Sequence, residues 1–233
     1  MNKLIYLFLL IGFYSCGKIS PEGKIESKDV KVEDFTSLNL AGKFRVFYVK
    51  SDSSFINLET YKNIADNLKI SVNDKALSIT EKRESRGVDF YNITVYSRYN
   101  VEKISVSDSV ELNLSSEIKT DNFKLNLKKN AKFIGSVNSR RAELTMSDKS
   151  RANLRGITRE ASIKISDTAS LIAPYWGITN LNIESKNENY AEVNVKDSLK
   201  GSIKNTSKFV YYDEPIRAFS IEKTTVVENK KLD

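Results

Sequence analysis

The sequence predicts an all-β solenoid, and three observations carry that prediction. Apolar and polar residues alternate from Val30 onward, as strands with one buried face require. A motif with a period near twenty residues recurs through the second half. No stretch of the chain carries a long helical period.

The elements follow in chain order. Met1-Asn2-Lys3 is a short basic start, and Leu4 to Phe13 is almost wholly apolar. Ten such residues in a helix reach only about 15 Å, roughly half of a bilayer's hydrocarbon core. Residues 1–15 are therefore read as a signal peptide and not as a membrane span. The apolar run meets Tyr14-Ser15-Cys16-Gly17, and Cys16 is the only cysteine. This stretch resembles a bacterial lipoprotein signal cut before Cys16, of the loose Ser-Cys kind found in Bacteroidota. The resemblance implies lipidation of Cys16 and a membrane partner held through that anchor. Residues 16–29 are polar, with Pro21 and Gly23, and read as a tether.

The folded domain is expected over 30–215. Leu38-Asn-Leu-Ala, Phe44 to Val49, Ile56 to Thr60, Leu68 to Val72 and Ala76 to Thr80 each alternate as strands do. Asn73-Asp74-Lys75 is a tight turn, Asn63 to Asn67 one helical turn, and Arg83 to Asp89 a charged loop before a strand at Phe90 to Tyr96.

Repeats begin at Ile104-Ser-Val-Ser-Asp-Ser-Val-Glu-Leu-Asn-Leu. Copies start at Leu125, Leu144 and Ile163, with weaker ones at Ile183 and Ser202. Their turn residues Asp108, Lys129, Asp148, Asp167, Asn187 and Asn205 lie 21, 19, 19, 20 and 18 residues apart. Two short strands per repeat of about twenty residues make a β-solenoid coil, which buries its apolar face only by stacking. Leu112, Phe133, Ala152, Leu171 and Phe209 are expected to form one internal column, and Val106, Leu127, Met146 and Ile165 another. The strand-rich first half packs onto the repeats as one continuous domain. Residues 216–233 are expected as a C-terminal cap and tail.

Composition removes several chemistries. With no histidine and one cysteine, the chain offers no Ser-His-Asp or Cys-His catalysis, no His-ligated zinc and no internal disulfide. No catalytic residue, metal, cofactor or nucleic-acid partner is expected. The net charge of +7 is uneven: Lys124 to Lys164 holds eleven Lys and Arg against three acids. A local basic surface calls for an anionic partner.

With this layout, the chain resembles the DUF2807 family, the head GIN domain of auto-transporter adhesins. Phe35-Thr-Ser-Leu-Asn-Leu-Ala-Gly-Lys-Phe-Arg-Val-Phe-Tyr-Val is similar to its opening. Asn67 to Ile79, the Ser-rich repeats and Tyr211-Tyr-Asp-Glu-Pro215 are similar to its later segments. The resemblance covers about Val30 to Pro215 and implies a right-handed β-helix-like fold on exported proteins, often Bacteroidota lipoproteins. Where the family's turns are commonly Ser-Gly-Ser, this chain has Ser-Asp-Ser or Lys-Asn-Thr, so bulkier and more polar turns are expected.

The candidate sites follow. Lys128, Lys129, Lys132, Arg140, Arg141, Arg151, Arg155 and Arg159 are candidate contacts for an anionic polysaccharide or lipid, with Lys132 over Arg151 and Arg140 over Arg159 at a period of nineteen. Asp148 and Asp167 stack as well and read as turn formers. Tyr175 and Trp176 are candidate aromatic contacts, with burial favoured for the tryptophan. The expected function is an outer-membrane lipoprotein with a non-enzymatic, adhesin-like or structural binding role. The alternatives are a polysaccharide-active β-helix enzyme and an envelope sensor or assembly partner.

Overall fold

In the computed structural model, residues 17–87 and 90–232 are described; the expected signal peptide and the expected lipidation site Cys16 lie outside them. The first half runs β1 (Ile25–Lys31), β2 (Ser37–Gly42), β3 (Arg45–Lys50), β4 (Phe55–Tyr61), α1 (Lys62–Asp66), β5 (Leu68–Asn73), β6 (Ala76–Glu81) and β7 (Asn92–Ser97). The second half runs β8 (Lys103–Asp108), β9 (Glu111–Leu114), β10 (Ile118–Leu127), β11 (Lys132–Met146), β12 (Arg151–Ser166), β13 (Ser170–Lys186), β14 (Tyr190–Ile203), β15 (Lys208–Tyr212), β16 (Ile216–Ile221) and β17 (Val226–Lys230). All seventeen strands belong to one sheet, curled into a β-solenoid of about seven turns.

The repeats stack in parallel. Phe133 pairs with Leu112 and Ala152, Ala152 with Leu171, Leu171 with Ala191, and Ala191 with Phe209. This is the first expected column, completed by Ala191 of the weaker repeat that starts at Ile183. The second runs Val106, Leu127, Met146 and Ile165, then Ser185 and Ile203. Every member of both columns is buried. Each large apolar side chain so buried contributes about 1.5–3 kcal/mol, so it is the stack, not the single coil, that is stable.

Every expected turn residue has left-handed backbone, from φ 50° at Asn205 to φ 71° at Asn187. Asp and Asn tolerate that region better than most side chains. Between turns, the two expected strands per repeat merge into one bent strand of 14–17 residues in β11–β14. The bend falls where burial parity slips, at the consecutive exposed pairs Arg140-Arg141 and Arg159-Glu160. Each coil thus has two sides. Side one runs from the turn to the bend (132–139, 151–158 and so on), and side two from the bend to the next turn (142–146, 161–166). Backbones pass closely at Gly201 (φ 121°), where a Cβ would lie 1.9 Å from the Ile183 carbonyl oxygen.

The first half stacks out of chain order. β2 pairs in parallel with both β6 and β8, and β3 with both β7 and β9. The coil of β2 and β3 therefore lies between that of β6 and β7 and that of β8 and β9. Antiparallel strands close the end: β5 on β6 and β4 on β7.

Two expected boundaries change. The tether reading of residues 16–29 is corrected, because Ile25–Lys31 forms β1, antiparallel to β4, with the Asn57 amide donating to Ser27 and Asp29. Backbone pairing holds this strand although it offers little apolar surface, so its alternation is faint. The fold also continues past 215, and residues 216–230 of the expected cap and tail carry two strands. β16 pairs in parallel with β14 and β17 with β15, a further coil whose Phe219 packs on Phe209 and Tyr211.

Candidate functional site

The eight candidate cations border or lie on side one, at separate places. Lys128 and Lys129 sit at the turn that opens it. Lys132 and Arg151 are its first residues, and Arg155 projects from its middle. Arg140, Arg141 and Arg159 stand at the bend that ends it. The expected stacking of Lys132 on Arg151 is present in the register; Ser139–Thr158 and Arg141–Glu160 pairs bracket Arg140 and Arg159 in the same way. What forms is a broad surface with basic edges, not one compact strip, because a coil carries residues nine apart to opposite margins of its side.

Carboxylates answer these cations unevenly. Glu111 accepts from Arg45 at 3.1 and 3.2 Å and from Lys132 at 2.5 Å. Burial pushes the Glu111 carboxyl up, but the bonds from Lys132 and Arg45 outweigh it and hold it below the usual carboxylate range. Lys129 meets Asp108 at 2.5 Å, and this bond raises the lysine above its ordinary value. Arg140 and Arg159 reach Asp121 and Glu160 only at 3.9 Å. Among the described residues, Lys128, Arg141, Arg151 and Arg155 have no carboxylate within 4.0 Å.

The aromatic pair divides. Trp176 is buried, its indole N–H donating to the Thr158 hydroxyl at 3.0 Å, so it offers no ligand contact. Tyr175 is 67% exposed beside Arg155. Asp148 and Asp167 spend their oxygens within the turns. Asp148 accepts from the Lys129 N–H, and Asp167 from the Asp148 N–H and the Asn187 amide.

Sequence reasoning missed Ile134, Ile157 and Ile172, which project outward among the cations. Parity was the available signal for two of them: Ile134 and Ile172 directly follow Phe133 and Leu171, already assigned to the inner column, whereas Ile157 is revealed only by the burial of Thr158 beside it. Two adjacent residues of a strand cannot both point inward.

Stacked coils with a buried apolar ladder inside and polar, charged side chains outside define an all-β solenoid. Its solved neighbours share that fold. They include a protein from Bacteroides fragilis described as a putative adhesin (TM-score 0.82, 17% identity, 92% of this chain and 100% of that one). Another, from Parabacteroides distasonis, carries the same description (0.73, 19%, 92% and 100%). A third, also from Parabacteroides distasonis, is described as a putative lipid binding protein (0.69, 15%, 92% and 100%). No curated protein matches the chain. The chain belongs to the DUF2807 family, "Putative auto-transporter adhesin, head GIN domain", whose model matches residues 34–215.

Proposed function

We propose that the chain is an exported, non-enzymatic binding protein of the cell envelope, attached to the outer membrane by lipid on Cys16, whose side one recognises anionic groups. The chemistry is that of a carboxylate or phosphate, carried by a surface glycan or a lipid headgroup. One observation carries this reading. Arg151 stands in register beside Lys132, with Arg155 four residues on, and among the described residues only Lys132 of these three has a carboxylate partner. Like charges a rung apart, about 4.8 Å, repel, and an anion between them relieves that repulsion. The adhesin and lipid-binding descriptions of the structural neighbours support an envelope role. The apolar run ending at Cys16 supports the anchor.

Binding to soluble polygalacturonate tests the surface. Joint replacement Arg151→Ser and Arg155→Ser is expected to weaken it at least about tenfold and to flatten its salt dependence. Equal affinity of the double variant and the parent refutes the reading. Cys16→Ser tests the anchor separately, and is expected to abolish incorporation of labelled fatty acid into the protein; labelling at the parent level refutes the anchor.

A further inference from the structure

Side one carries more than charge. The outward positions on its three middle rungs are Lys132, Ile134, Ser136 and Asn138, then Arg151, Asn153, Arg155 and Ile157, then Ser170, Ile172 and Tyr175. Ile157 is 64% and Tyr175 67% exposed; Ile134 and Ile172 are 44% and 42% exposed. Ten large apolar side chains are exposed among the described residues, and these four share one face three rungs high. Single exposed apolar residues need no explanation, but four interleaved with three cations do. Ile134 and Ile172 flank Asn153 in one column, about 10 Å apart across two rungs. With Lys132 and Arg151 they line a shallow depression of about 360 Å³.

The side chains discriminate between occupants. An isoleucine accepts no hydrogen bond from a sugar hydroxyl and has no flat ring to stack on one; it gains only by leaving water. A second copy of the chain docked through this face would bring two cationic surfaces together. An anionic bilayer suits both sets of groups. Its headgroup phosphates meet the guanidinium groups, and its headgroup–acyl boundary receives branched aliphatic side chains and a tyrosine.

We infer that side one lies flat on an anionic bilayer, with Arg151 and Arg155 on lipid phosphates and Ile134, Ile157, Ile172 and Tyr175 entering the interface. This rests on the anion-binding reading above and names its partner. It makes the solenoid itself a second membrane contact, independent of any acyl chain.

The test uses the chain from Gly17 onward, which holds all seventeen strands and carries no acyl group. Co-sedimentation is measured with vesicles of phosphatidylcholine alone and with vesicles containing three parts in ten phosphatidylglycerol, alongside polygalacturonate in solution. Binding to the anionic vesicles is expected to exceed that to neutral ones at least about tenfold. Ile157→Ser with Tyr175→Ser is expected to lower vesicle binding at least about fivefold and to leave polygalacturonate affinity unchanged. Arg151→Ser with Arg155→Ser is expected to lower both. Since all four positions are exposed, the variants should keep their fold, and the fluorescence of the buried Trp176 checks that. Parent-like vesicle binding by the Ile157/Tyr175 variant overturns the inference. Binding of polygalacturonate without vesicles also overturns it and leaves the proposed function standing. Binding of neither probe overturns both.

Discussion

Glu111 is the residue at which stability and recognition meet. Its carboxylate holds Arg45 and Lys132, and its side chain is 16% exposed against 38% and 48% for the two cations. Because its carboxyl lies below the usual range, its contribution is fully present above the unfolded-state value near pH 4.3 and is lost as pH falls through the lower folded value. Glu111→Gln is expected to cost roughly 1 kcal/mol near neutral pH, solvent screening of the exposed partners included, and to reduce the loss of thermal midpoint on acidification. It also releases Lys132, so polygalacturonate affinity is expected to rise a few-fold. Unchanged affinity would mean that Lys132 takes no part in recognition.

The αL turns are the elements that set the register, and they are tied to one another. Asp148 accepts from the Lys129 N–H at 2.9 Å, Asp167 from the Asp148 N–H at 3.2 Å, and the Asn187 amide donates to Asp167 at 3.0 Å. Asp167 lies below the ordinary carboxylate range, first through the Asp148 N–H and then through Asn187 and Ser166. Asp167→Ala removes this acceptor and forces alanine into left-handed backbone, with an expected cost of about 1–2 kcal/mol. Asp167→Asn is expected to recover most of it in denaturant titrations, because asparagine tolerates the conformation and still accepts. Any acid dependence through Asp167 runs in the same direction as for Glu111, present above its unfolded value near pH 3.9 and lost below. These elements were also the most legible in the sequence. A turn needing φ > 0 admits few residue types, so Asp108, Asp148, Asp167, Asn187 and Asn205 mark the period openly. The bends were not legible, because Arg140-Arg141 and Arg159-Glu160 look like any charged pair until the parity on either side is compared. β1 was hidden because backbone pairing leaves no pattern where neither face is buried.

Across the whole molecule the sequence announces the ladders but not the order in which they stack. Parallel strands carry no label naming their neighbour, and β2, β6 and β8 present similar apolar faces (Leu38, Leu77, Ile104). Local turn chemistry could therefore define each coil without revealing that the β2–β3 coil sits inside the stack. The candidate site was half legible for a related reason: charge is visible in a sequence, whereas the outward isoleucines emerge only once the inner column is fixed. At the far end, Phe219 covers Phe209 and Tyr211, with ring centroids 6.3 and 6.4 Å away. Deletion of residues 216–233 strips this coil and bares the edges of β14 and β15. The shortened chain is expected to stay folded through its upstream coils but to self-associate, read as a rising apparent mass in light scattering with increasing concentration. A monodisperse truncated protein would show that the last coil is dispensable as a cover.

The displaced β2–β3 coil also dictates when the protein can become itself. A chain lengthening from its N-terminus produces β2 and β3 early, yet both neighbours of each are made later, up to Leu114 at the end of β9. Until then that coil has no stable seat, and nothing downstream has a finished surface to grow on. Assembly should thus start with a slow, all-at-once closure of roughly the first hundred residues, after which each new repeat zips on quickly.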